Sequence, residues 1–65
     1  MANEGAEVGP DDFERKLAAA NVANRSNPRI VDNGDVTYHN FDDASGKEIG
    51  WISYRSGEVM GYTIR

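Results

Sequence analysis

Cysteine is absent from the 65 residues. That excludes disulfide staples, thiolate metal sites and a cysteine nucleophile together, and it suits a reducing cytosol. Histidine occurs once, at His39, and proline only twice. No apolar run approaches the ~18–20 residues that span a bilayer. The opening Met1-Ala2-Asn3-Glu4 lacks the basic-then-apolar order of a secretory signal, so the expected location is cytoplasmic. Positive charge is scarce as well: seven Lys and Arg stand against eleven Asp and Glu, for a net charge of −4. This balance argues against direct binding of nucleic acid and against attraction to an anionic membrane surface. The length allows one small domain with a thin margin of stability.

What is present is ordered in blocks. Residues 1–14, 15–29, 30–50 and 51–65 carry net charges of −5, +4, −4 and +1. Residues 1–9 have no apolar period and read as a flexible leader before a single domain over 10–65. Pro10 suits a first helical position, and Asp11 and Asp12 suit the positive end of a helix dipole. Asp11 with Arg15 and Asp12 with Lys16 are acid-first i,i+4 pairs. Phe13, Leu17 and Ala20 share one face, and Asn24, Ser26, Asn27 and Pro28 stop the pattern, giving a helix over 10–24.

From Arg29 onward the period is two. Asn33-Gly34 between Arg29–Asp32 and Asp35–Tyr38 predicts a type I′ hairpin, with Asp32 opposite Asp35 and Val31 opposite Val36. A loop follows over 42–47, and a second hairpin over 48–64 turns at Ser56-Gly57. A two-residue turn there puts Ile49, Trp51, Met60, Tyr62 and Ile64 on one face and Ile52, Tyr54 and Val59 on the other; a bulge would shift these faces. The fold class is therefore α+β: one N-terminal helix packed on a four-stranded antiparallel meander. Phe13 and Leu17 are expected to meet Trp51, Met60, Tyr62 and Ile64. The second apolar face is left for a partner or for weak self-association.

Catalytic chemistry finds no footing. His39 with Asp42 and Asp43 matches no metal-ligand spacing. The serines lack a nucleophile-elbow context, and Gly46-Lys47 lacks the rest of a phosphate-binding loop. No enzymatic activity, catalytic residue, metal or cofactor is expected. Tyr38, Trp51, Tyr54 and Tyr62 with Arg29 and Arg55 could stack bases, but the negative charge of residues 30–50 points these rings to packing instead. Tyr38 and Tyr54 are the expected anchors of a protein contact.

Asp32, Asp35, Asp42, Asp43 and Glu48 are the remaining feature. Carboxylates two apart on a strand are separated by ~6.6 Å, and cross-strand neighbours by ~5 Å. An acidic hairpin can thus present phosphate-like charges to a basic groove. In size, lack of cysteine, helix-plus-sheet plan and these five acids, the chain resembles small phage-encoded anti-CRISPR proteins of the DNA-mimic type. The resemblance implies a non-enzymatic inhibitor in the host cytoplasm, a monomer or weak homodimer. Its partner would be a protein with a basic DNA-binding surface, such as a CRISPR effector subunit. The alternative is a small homo-oligomeric or protein-interaction module that uses the apolar second face.

Overall fold

The structure, a computed structural model, describes residues 5–65. It is α+β, with one helix and one antiparallel sheet. The elements are β1 (Ala6–Val8), α1 (Pro10–Ala19), β2 (Arg29–Asp32), β3 (Val36–Asp42), β4 (Glu48–Arg55) and β5 (Glu58–Ile64). Spatial order is β1-β5-β4-β3-β2. The last four strands form the expected meander. The fifth is a correction: Ala6–Val8, read as part of the leader, pairs with Tyr62–Ile64. A three-residue edge strand is too short to show a period, so only the pairing partner reveals it. The first four residues of that leader lie outside the described residues.

The helix starts as its residues require. Gly9 is extended at the N-cap, its carbonyl accepts from the Phe13 amide at 2.9 Å, and Pro10 opens the first turn. It ends at Ala19, short of the expected 24. Asn21 adopts φ 61°, a left-handed conformation that asparagine tolerates. The Asn21 amide then donates to Ala18 and the Val22 amide to Leu17, the two bonds of a Schellman stop. Beyond it the chain turns onto the sheet, with Val22 bridging Asp43 and the Ala23 amide donating to Asp42 at 2.8 Å. On the helix surface Arg15 pairs with Asp12 at i,i+3, in place of the i,i+4 partners expected, and Glu14 pairs with Arg25.

The first hairpin differs in register. Asp32 lies opposite Thr37 and Val31 opposite Tyr38. Residues 33–36 form the loop, closed by the Asn33 amide on the Val36 carbonyl at 2.9 Å. Gly34 alone takes positive φ, and its amide donates to Asp32 Oδ1 at 2.9 Å. That local aspartate bond competes with the type I′ turn and displaces it. The slip is two residues, so every side chain keeps its expected face. The tight turn with two left-handed residues occurs instead at Ser56 (φ 52°) and Gly57 (φ 81°).

Bulges decide the faces of the second hairpin. Arg55 pairs with Glu58 and Tyr54 with Val59, whereas Ser53 pairs with Gly61, leaving Met60 as the extra residue. A second shift near Phe41 and Asp42 leaves Ile49 extra on β4. Trp51 therefore lies opposite Thr63 and Ile52 opposite Tyr62. Of the side chains expected beneath the helix, Ile49, Tyr62 and Ile64 are there; Trp51 and Met60 are not, and Ile52 takes a place instead. The core is small. Phe13, Leu17 and Phe41 are its buried hydrophobics, with Val8, Val22, Ile49, Ile52, Tyr62 and Ile64 packed around them. The Phe13 ring meets Phe41 edge-on at 5.7 Å and Tyr62 at 5.3 Å.

Candidate functional site

The helix covers one face of the sheet, and no element of the described chain covers the other. On that open face β-alternation and register align Arg29, Asn40, Trp51 and Thr63 in one row and Val31, Tyr38, Ser53 and Gly61 in the next. These residues surround a shallow groove of about 650 Å³. Its floor is small and polar on β5 and aromatic on β3 and β4. Gly5, just before β1, lies against Trp51 and Thr63, and Glu7 lies over Gly61.

Apart from the Glu7 carboxylate over Gly61, the charges of this face lie at its ends. At one end Arg29 donates to Asp42 through Nε (3.1 Å) and Nη2 (3.0 Å), and its Nη2 is 3.5 Å from Glu48 Oε2. Arg65 Nη1 donates to Glu48 Oε1 at 2.9 Å. The four side chains form a chain of alternating sign across β2, β3, β4 and the end of β5. The hydrogen bond to Asp42, the largest effect, holds the Arg29 guanidinium above its ordinary pKa. Asn24 fastens the same corner: its Nδ2 donates to the Asn40 carbonyl and to Asp42 Oδ2, both at 3.3 Å, and its Oδ1 accepts from the Asp42 amide at 2.8 Å. Arg55 and its cross-strand neighbour Glu58 occupy the other end of β4 and β5.

The five acids singled out in the sequence do not share one edge. Asp32 and Asp35 belong to the β2–β3 turn, while Asp42, Asp43 and Glu48 are at the opposite end of the sheet. The seven residues of β3 separate the groups by roughly 20 Å at ~3.3 Å per residue. Asp32 is not opposite Asp35, as the sequence suggested, but opposite Thr37. Asp42 and Glu48 are paired with arginine. Asp43 organises its own loop, accepting from the Ser45 hydroxyl at 2.7 Å, the Ser45 amide at 2.9 Å and the Lys47 amide at 3.0 Å. Those donors, the Ser45 hydroxyl first, lower its carboxyl pKa.

Tyr38 and Tyr54 also part. Tyr38 is on the open face; Tyr54 is on the helix side, beyond the reach of the helix, with its ring 4.3 Å from His39. Around that pair Ile30 and Val59 are half-exposed. His39 and Asp42 therefore point to opposite faces, and among the described residues no three potential metal ligands gather. No helix among them is long and apolar enough to cross a membrane. Trp51 and Arg65 are the site residues that sequence reasoning misplaced or missed; Arg29 keeps the face that alternation gave it, beside Tyr38. Alternation would have revealed the face of Trp51 only with the bulge known. Comparison with protein-family models, with curated proteins and with solved structures finds no match to this chain.

Proposed function

We propose that the chain is a non-enzymatic protein-binding module whose contact surface is the open face of its sheet. The observation that carries this reading is the groove, roofed by no element among the described residues, in which Trp51 and Tyr38 stand beside Arg29 and Arg65. Tryptophan, tyrosine and arginine are the side chains that most often dominate protein interfaces. The arginines are held in place by Asp42 and Glu48, so a partner meets a rigid guanidinium frame around an aromatic floor. Less conformational freedom is then lost on contact. The groove's lining mixes both signs, which favours a partner surface of mixed polarity over a polyanion.

The second reading, charge mimicry of DNA by an inhibitor aimed at a basic groove such as that of a CRISPR effector, rests on Asp32 and Asp35. Asp42 and Glu48 are paired with arginine and Asp43 is held by three donors of its loop, whereas Asp32 accepts only the Gly34 amide among the bonds of its turn. A tagged chain tests the two readings by affinity capture from a host lysate. Under the open-face reading, capture of the bound protein falls at least tenfold for Trp51→Ala and Tyr38→Ala. It is unchanged for Asp32→Asn with Asp35→Asn. Loss with the aspartate changes alone reverses the choice.

A further inference from the structure

The charged ends of the β4–β5 hairpin have opposite polarity. At the turn, Arg55 is on β4 and Glu58 on β5. At the far end the acid, Glu48, is on β4, and the base, Arg65, follows β5 and pairs with it at 2.9 Å. Consider a twofold axis lying across the strands between two open faces. It sets β4 antiparallel over its copy and β5 antiparallel over its copy. Arg55 then comes over Glu48 of the second copy, and Glu58 over Arg65 of the second copy. All four of these contacts at the ends of β4 and β5 pair unlike charges. An axis parallel to the strands over β4 instead places Arg55 over Arg55. One between β4 and β5 places Arg55 over Glu58 and Glu48 over Arg65, which is also attractive but overlaps four strands where the axis across the strands overlaps all five.

We infer that this open face is the interface of a symmetric homodimer, two sheets packed face to face with β4 antiparallel to β4 across the twofold axis. The inference rests on the open face being the contact surface and adds its occupant, a second copy of this chain. The eight residues of β4 run about 27 Å, and five strands at ~4.8 Å spacing spread about 19 Å before side chains are added. That is at most about 500 Å² per partner, the size of a weak, transient contact. Composition supports a second copy. Three buried hydrophobic side chains among the described residues are a small core. The chain has no cysteine, and the described residues gather no metal ligands. Oligomerisation is the remaining common means by which so small a fold adds buried apolar area. The axis also places Tyr38 and Trp51 at the centre of the contact, where sheet-on-sheet packing puts its largest side chains. The arginines, Asp42, Glu48 and Glu58 remain at the rim, where charges steer orientation, while the Glu7 carboxylate over Gly61 lies inside it.

Sedimentation equilibrium of the full chain from 1 to 500 μM, with Trp51 emission followed over the same range, tests this. The expected species is twice the 7.1 kDa chain, its emission shifting to the blue as it forms. Charge exchange gives the sharper result. A chain carrying Arg55→Glu and Glu58→Arg, or one carrying Glu48→Arg and Arg65→Glu, should self-associate at least tenfold more weakly than wild type. An equimolar mixture of the two should recover to within about threefold, because every rim contact is attractive again. If the second chain does not fold by circular dichroism, the first alone decides: wild-type association by that chain overturns the proposal. So does a wild type that is monomeric at every concentration, or a mixture that fails to recover. Should self-association fail while Trp51→Ala still abolishes capture of another protein, the binding-module reading stands and only the second copy is wrong. If Trp51→Ala changes neither measurement, both readings fall.

Discussion

Arg29 and Asp42 face each other across the β2–β3 ladder as a two-point guanidinium–carboxylate pair, at 3.1 and 3.0 Å. Arg29 is opposite Asn40 in register, so the pair is diagonal, and Asp42 is its less exposed member. Around it Asn24 and Glu48 complete a corner that joins the chain after the helix to β2, β3 and β4. The pair is partly solvated, and exposed ion pairs stabilise by only ~0.2–1 kcal/mol. Two-point geometry puts this one at the upper part of that range.

Replacing Asp42 by Ala should destabilise the chain by about 1–2 kcal/mol, since it removes a carboxylate shared by Arg29 and Asn24. Arg29→Lys, which keeps the charge and loses the fork, should cost roughly 0.5 kcal/mol. Urea denaturation measures both. The Arg29→Lys loss should shrink between 50 and 500 mM salt; an unchanged difference would mean that packing of the arginine stem, not charge, is what is lost.

Gly50 is buried where β4 passes under the helix. A Cβ there would be 2.5 Å from the Thr63 carbonyl oxygen and 3.3 Å from Phe13 Cε1. The backbone oxygen cannot withdraw without breaking the ladder, so Gly50→Ala should destabilise by about 2–3 kcal/mol. Gly9, whose added Cβ meets nothing within 4 Å, is the control: Gly9→Ala should change stability by no more than ~1 kcal/mol, the range for losing an N-cap glycine. Thermal melts of the two variants should separate clearly.

Ser56 carries φ 52° beside Gly57 at 81° in the tight turn of the second hairpin. Asparagine tolerates that conformation better than serine and is preferred before glycine in such turns. Ser56→Asn should stabilise by ~0.5 kcal/mol, whereas Gly57→Val should destabilise by at least ~1 kcal/mol. A lower urea midpoint for Ser56→Asn would contradict the turn assignment.

The loop before β4 should respond to acid. Asp43 has a lowered carboxyl pKa because the Ser45 hydroxyl and the amides of Lys47 and Ser45 donate to the ionised form. A depressed folded pKa contributes stability that is present above the unfolded value, near 3.9. That stability is lost as pH falls through the folded value. Wild type should exceed Asp43→Asn in stability at pH 6, and the gap should close toward pH 2. A gap that stays constant over that range would show that the carboxylate charge has no part in holding the loop.

Local chemistry was legible along the chain wherever neighbours in sequence decide conformation. Pro10 with Asp11 and Asp12 marks the helix start, and Phe13 and Leu17 mark its buried face; both are where periodicity put them. The antiparallel strands from Arg29 to Ile64 follow from alternation and turn residues. Ser56-Gly57 turns as expected, although the sequence pointed to Asn33-Gly34 for the same geometry. At Asn33 the side chain of Asp32 offers the Gly34 amide a bond of its own, a competition that counting residues does not resolve.

Three things belong to the tertiary structure alone. β1 exists because Tyr62–Ile64 is there to pair with it, and three residues have no pattern without that neighbour. Trp51 stands in the open groove because Met60 is left over in the ladder, and one unpaired residue reverses which side chains share a face. Asp42 and Glu48 are neutralised because folding brings Arg29 and Arg65 to them from 13 and 17 residues away. Composition determined how many charges this chain has; only the fold could decide which of them meet, since Coulomb attraction acts across space and takes no account of order along the backbone.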